Sequence, residues 1–250
     1  MIDTHAHLHL INRSTDDILA AAKLAGVNHI IQVAIDFSSI EKNIMYYKSY
    51  EQLSISGGIH PLSVSSDLDK DHIMKYLESN IDSFVAIGET GLDYKYGLDT
   101  KSLQLDWLYM QLELAKRFDK PVIIHSRYSD DDMLAVVNQY PTVKKVFHCY
   151  ATHFSFFESL EGSENYVSFT GMITFSKKGK LANAVRNVPL NRLMIETDAP
   201  YLIPKGIDAD QNAPQYVGEI ANHIAFLRNI EIDEVLYSII QNSVDFFRLK

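Results

Sequence analysis

The sequence has little of what would tie a protein to an oxidising compartment, a membrane or a broad polyanionic surface. Among 250 residues there is one cysteine, Cys149. That leaves no intramolecular disulfide framework and fits a reducing compartment. No apolar run approaches the ~18 residues of a membrane helix. The opening Met1-Ile2-Asp3 lacks the cationic start and apolar stretch of a secretory signal. The expectation is a cytoplasmic protein with no membrane association. Basic residues are also short, with 23 Lys and Arg against 32 Asp and Glu, a net charge of −9. A protein that coats nucleic acid nonspecifically is normally basic. Any nucleic-acid contact here must be local and helped by bound cations. Disorder is excluded by 46% hydrophobic and only 22% charged residues.

What is there is an alternation of strand-like and helix-like segments. Short β-type runs occupy residues 2–5, 29–34, 54–58, 84–89, 121–125, 145–148, 166–170 and 192–196. Between them lie amphipathic stretches at 16–25, 39–50, 71–80, 101–118, 129–139, 155–161 and 181–187. A final pair covers 215–227 and 233–247. In the longest, Leu105, Leu108, Leu112 and Ala115 keep helical spacing, with Glu113 and Arg117 on another face. Strands separated by helices predict a parallel sheet. Eight such units in this length predict a TIM-type (β/α)8 barrel. No linker, repeat or low-complexity tract interrupts the chain, so residues 1–250 are expected to form a single domain.

The ionisable residues gather at predicted strand ends. His5 and His7 follow the first strand and His60 the third. Glu89 ends the fourth, His125 the fifth and His148 the sixth. Asp198 follows the eighth. In a parallel barrel the C-terminal ends of all strands open on one face, so these residues are expected to converge. On extended backbone, positions two apart point the same way, and His5 and His7 can grip one cation. Glu89 closes an apolar run before a glycine turn, and its two oxygens can bridge two cations. Val122-Ile123-Ile124-His125 and Lys145-Val146-Phe147-His148 each deliver a histidine from an apolar strand. Four histidines and two carboxylates suit two divalent ions. Imidazole-rich ligation favours Zn, Mn, Co or Ni over Mg. Two such ions together suit phosphate-ester hydrolysis. Asp3 and Asp93 read as supporting groups. Cys149 reads as a small filler beside His148. The run Lys177-Lys178-Gly179-Lys180 reads as a solvated loop or one that attracts DNA.

At these residues the sequence resembles the TatD family of metal-dependent deoxyribonucleases, within the amidohydrolase-like barrels. The matches are Asp3-Thr4-His5-Ala6-His7-Leu8, Gly58-Ile59-His60-Pro61 and Ile87-Gly88-Glu89-Thr90-Gly91-Leu92-Asp93-Tyr94. They continue through Lys120-Pro121-Val122-Ile123-Ile124-His125-Ser126-Arg127 and His148-Cys149. Glu196-Thr197-Asp198-Ala199-Pro200-Tyr201-Leu202 completes them. The motifs stand in family order and span nearly the whole chain. The resemblance implies that His5, His7 and Asp198 hold one ion, that His125 and His148 hold the other, and that Glu89 bridges them. It places His60 and Arg127 near the substrate, where Arg127 can fork onto a phosphate.

Two stretches depart from the family pattern. After Pro204 the family commonly carries a basic stretch and then Asn-Glu-Pro. Here the run is Lys205-Gly206-Ile207-Asp208-Ala209-Asp210-Gln211-Asn212-Ala213-Pro214. After His148, Cys149-Tyr150-Ala151 replaces the more usual Phe and small residue.

The expected activity is hydrolysis of DNA phosphodiester bonds, as a 3′–5′ exonuclease on single strands. Asp198 and Glu89 are its catalytic residues, and DNA is its substrate. The enzyme is expected to be a monomer with no obligate protein partner. The alternative is another ester on the same ions, a phosphomonoester or an aminoacyl-tRNA.

Overall fold

A computed structural model describes residues 1–162, 164–175 and 177–249. Eight strands follow one another in sequence order in one eight-stranded sheet, with helices between them. This is the TIM-type (β/α)8 fold. The strands are β1 (Ile2–Ala6), β2 (His29–Gln32), β3 (Leu53–Gly57), β4 (Phe84–Asp93), β5 (Val122–Arg127), β6 (Lys145–Phe147), β7 (Asn165–Phe169) and β8 (Leu193–Ile195). The helices are α1 (Thr15–Leu24), α2 (Phe37–Met45), α3 (Lys70–Ser79), α4 (Lys101–Arg117), α5 (Asp130–Val137), α6 (Phe154–Glu158), α7 (Gly179–Asn187), α8 (Val217–Arg228) and α9 (Ile232–Phe247). Among the described residues no helix is long and apolar enough to cross a membrane.

The chain divides into two compact units. The first comprises Met1–Gln32, His148–Glu158 and Tyr166–Lys250. Its core holds Ile18, Ile30, Ile31, Val167, Phe169, Met194, Ile224 and Phe246, all buried. Within it β1 pairs in parallel with β2, β7 pairs in parallel with β8, and Ala6 bridges Ala199. The second comprises Val33–Phe147 and Ser159–Asn165. Its core holds Ile55, Phe84, Ile87, Trp107, Leu112, Ile124 and Phe147. Here β3 through β6 pair in parallel, in order. The apolar strand runs are buried on both faces, as a helix-covered parallel sheet requires.

Three predicted boundaries move. The segment expected as helix over 39–50 is α2 followed by a separate 3-10 turn, Tyr47–Ser49. Its start is set by a capping box in which Asp36 and Ser39 satisfy each other's backbone N–H groups. The lysine-rich run after β7 is not all loop, because α7 begins at Gly179. Most consequentially, β4 does not end at Glu89 but runs to Asp93. Gly88 and Gly91 have φ of +140° and +148°, values side chains rarely adopt. At Gly91 a Cβ would run into the carbonyl oxygen of His125. The glycines that read as a turn let β4 lie close against β5 and extend the pairing to Asp93 opposite Arg127.

Candidate metal centre

The first unit presents His5, His7, His148 and Asp198. His5 and His7 lie at and just after the end of β1, and their Nε2 atoms stand 3.2 Å apart. Asp198 Oδ1 is 3.8 Å from the first and 3.5 Å from the second. Two nitrogen ligands at ~2.0–2.1 Å from one ion stand roughly 3.0–3.4 Å apart. The imidazole pair and its carboxylate therefore fit a divalent cation. His148 stacks on His5, with ring centroids 4.1 Å apart, and His5, His148 and Asp198 offer ligand atoms within 4.8 Å of one another.

The backbone builds this group from distant segments. Asp198, in the left-handed region at φ +56°, donates its N–H to His5 O at 2.9 Å. His7 N–H donates to Ala199 O at 2.8 Å. Asp3 accepts from Thr197 N–H at 2.9 Å and Thr197 Oγ1–H at 2.6 Å, which locks β1 to the segment after β8. Burial pushes Asp3 up to about 7, against those hydrogen bonds. Asp198 goes the other way. Burial would raise it, but the His7 hydrogen bond and the charges of His5, His148 and His7 outweigh that and hold it low. An ionised carboxylate facing imidazoles can serve as a ligand or accept a proton.

The second unit presents His60, Glu89, His125 and Asp93. Glu89 is buried. Its Oε1 lies 2.9 Å from His125 Nδ1 and 3.4 Å from His60 Nε2. These three also offer ligand atoms within 4.8 Å of one another. The other nitrogen of His125, Nε2, lies 3.1 Å from Asp93 Oδ2. Asp93 is held low despite its burial, chiefly by the hydrogen bond to His125 and the Tyr96 backbone N–H. His125 thus has a carboxylate at each ring nitrogen, Asp93 at Nε2 and Glu89 at Nδ1, and both fix the orientation of its ring.

At His60, Leu62 N–H donates to Nδ1 at 3.0 Å. The proton of neutral His60 therefore sits on Nε2, which has no lone pair to give a cation. His60 is a hydrogen-bond donor in this geometry, not a ligand. Arg127 closes β5, exposed, with its guanidinium 4.8 Å over the ring of Tyr96.

The family model for TatD-related DNases matches residues 2–248 of this chain. The chain belongs to that family. It is 31% identical over 245 residues to the uncharacterized metal-dependent hydrolase BU355 of Buchnera aphidicola (subsp. Acyrthosiphon pisum, strain APS), covering 93% of each chain. It is 32% identical to tatdn3 of Danio rerio, whose name proposes a deoxyribonuclease, covering 98% of this chain and 96% of that one. Among solved structures it is similar to the TatD homologue YjjV of Escherichia coli, with a TM-score of 0.89 at 28% identity over 100% of this chain and 98% of that one. Metal-dependent hydrolysis is the chemistry of this TatD-family chain.

His148 groups with His5 and Asp198, and His125 groups with His60 and Glu89. Sequence reasoning missed Glu196. Its Oε1 accepts from Cys149 N–H at 2.6 Å and lies 3.3 Å from His148 Nδ1. The signal was a second acid two residues before Asp198. Cys149 is no nucleophile, since burial, with Asp198 nearby, pushes its thiol up to about 12.

Proposed function

We propose that this protein is a two-metal phosphodiesterase that removes nucleotides from the 3′ end of single-stranded DNA. The observation that carries this reading is the pair of histidine–carboxylate groups, His5–His148–Asp198 and Glu89–His125, in a chain of the TatD-related DNase family. Strand ends of a parallel (β/α)8 sheet share one face. That is the ground for joining the groups into one dinuclear site, with Glu89 shared between two ions, and for treating residues 1–250 as one catalytic domain. His5, His7 and Asp198 would hold one ion, and His125 and His148 the other. Two divalent ions held there (Zn, Mn, Co, Ni or Mg) would make a water acidic enough to attack near neutral pH and would offset charge on phosphate oxygens.

The chain's own residues do the rest. Asp198, held ionised, accepts the proton of the attacking water. His60 directs its Nε2–H toward a phosphate oxygen, and Arg127 forks onto the neighbouring phosphate. Asp93 holds the ring of His125 through Nε2, and Glu196 places a carboxylate beside Nδ1 of His148.

One observation favours a smaller ester. Asp208 and Asp210 stand where the family pattern is basic, and acids there repel a long polyanion. The test covers both readings. Metal-loaded protein is offered 3′-labelled and 5′-labelled single strands, p-nitrophenyl phosphate and aminoacyl-tRNA. The expected result is immediate release of the 3′ label and a descending ladder from the 5′-labelled strand, lost in EDTA. Turnover of the phosphomonoester or the aminoacyl ester, with no DNA cleavage under any metal, would overturn the nuclease reading.

A further inference from the structure

Two loops of the second unit carry a cluster in which only Arg127 has a role so far; Lys95, Tyr96 and Tyr128 have none. Tyr96, after β4, and Tyr128, after β5, are 62% and 76% exposed. Between them lie two cations. Arg127 Cζ is 4.8 Å from the Tyr96 ring centroid, and Lys95 Nζ is 5.2 Å from Tyr96 and 5.8 Å from Tyr128.

The cluster is keyed to the metal-site residues. Asp93, whose Oδ2 meets His125, uses its Oδ1 to accept from Lys95 N–H and Tyr96 N–H, each at 3.0 Å. Tyr94 N–H donates to Arg127 O at 2.9 Å and ties the two loops together. Tyr128 sits at φ +57°, a region that bulky side chains rarely adopt. Glycine would rest there freely, yet the chain holds an exposed ring. Strained backbone displaying a solvent-facing side chain points to a ligand rather than to packing.

The chemistry selects the ligand. Aromatic faces with cations between them suit alternating bases and phosphates. Helix α5 carries Asp130, Asp131 and Asp132 in its first turn. Asp132 is taken up by Lys101 at 2.5 Å and the Tyr94 hydroxyl at 2.6 Å, in an acidic first turn that follows Arg127 and Tyr128 closely in the chain. Attraction is thus weak here, and stacking must supply most of the binding.

We propose that Tyr96 and Tyr128, with Lys95 and Arg127, form a stacking platform for the unpaired nucleotides next to the scissile phosphate. The platform selects single strands over duplex ends, because paired bases do not expose their faces. This rests on the reading of DNA as substrate.

The test uses metal-loaded full-length protein and its Tyr96→Ala, Tyr128→Ala, Tyr96→Phe and Tyr128→Phe variants. KM is measured for thymidine oligonucleotides from dinucleotide to decamer. The small diester bis(p-nitrophenyl) phosphate, too short to reach the platform, is measured alongside. In the wild type KM should fall as nucleotides are added. Each alanine variant should raise the decamer KM about 10-fold, within the range of 5- to 150-fold given by a stacked base. The phenylalanine variants should retain wild-type values, and the small diester should be hydrolysed at wild-type kcat/KM by all four. Two cation–phosphate contacts give a shallow salt slope, roughly 1.4 in log KM against log salt.

Decamer KM unchanged in both alanine variants, with DNA still cleaved, overturns the platform and leaves the nuclease reading intact. Equal loss on the decamer and the small diester also overturns it, because the tyrosines would then only support the site. Hydrolysis of the small diester without any DNA cleavage overturns both readings.

Discussion

The two histidine–carboxylate groups are built from the same parts, but their histidines are set at different depths. In the first unit His5, His7 and His148 are buried, with Asp3 and Glu196 buried behind them. In the second the side chains of His60 and His125 keep 14% and 16% of their surface, and exposed Arg127 stands at the end of the same strand as His125. Burying polar groups is costly unless each is paired, so the first group needs a dense backing of carboxylates and backbone donors. It is suited to gripping a cation in a dry setting. The second is suited to meeting substrate. Both set a carboxylate beside a candidate ligand histidine: Glu196 Oε1 lies 3.3 Å from His148 Nδ1, and Asp93 Oδ2 lies 3.1 Å from His125 Nε2.

The largest expected effect breaks the comparison at the residue assigned to both ions. Glu89→Gln keeps the shape but bridges poorly. Metal content by elemental analysis should drop for both ions, by more than the roughly 10- to 100-fold affinity loss typical of an outer partner. Loss of a single ion would confine Glu89 to the second group.

The next pair separates the groups. Glu196→Gln and Asp93→Asn should each weaken metal binding by roughly 10- to 100-fold in a chelator titration. Only Asp93→Asn should also raise KM for DNA, since Asp93 alone pins the Tyr96 loop. Equal KM changes would erase the distinction between a holding group and a receiving group.

Arg127→Ala should raise KM about 10-fold, the low end for a charge-assisted contact at an exposed site, and leave metal content unchanged. Lysine should rescue only part of this, because it lacks the planar fork. Lost metal would move Arg127 into the supporting structure.

The smallest effect touches stability alone. Lys145, at the start of the strand that His148 follows, is buried, with Nζ donating to Tyr140 O at 2.7 Å and Val143 O at 2.8 Å. Burial lowers its pKa to about 8, beneath its ordinary value of 10.5. Below pH 8 both folded and unfolded chains hold the proton, and the full burial cost is present. Between pH 8 and about 10.5 the unfolded chain binds the extra proton, so this residue's contribution to stability rises with pH. Chemical denaturation of wild type and Lys145→Met at pH 7 and pH 9.5 should show that rise in the wild type only. A parallel pH response in both proteins would remove Lys145 as its source.

Much of the candidate site was legible in the sequence. His5, His7, Glu89, His125, His148 and Asp198 stand out because apolar runs end in ligand-type residues. The extension of β4 was not, because Gly88 and Gly91 signal a turn locally, and only the neighbouring strand shows that they serve close pairing. Nor was the donor character of His60, which rests on the turn its own backbone begins with Leu62. Glu196 was hidden inside a motif whose reading stopped at Asp198.

Residue types and their periodicity determined the (β/α)8 class and the inventory of candidate ligands, because both are local: strands and helices announce themselves within a dozen residues. Tertiary structure alone decided which acid stands beside which histidine, and which ring nitrogen of His60 holds the proton. His125 and Asp93 lie 32 residues apart in sequence, and the Thr197–Asp3 bond that locks β1 in place joins residues 194 apart. A hydrogen bond depends on where the backbone brings its two ends together, and no local pattern encodes that distance.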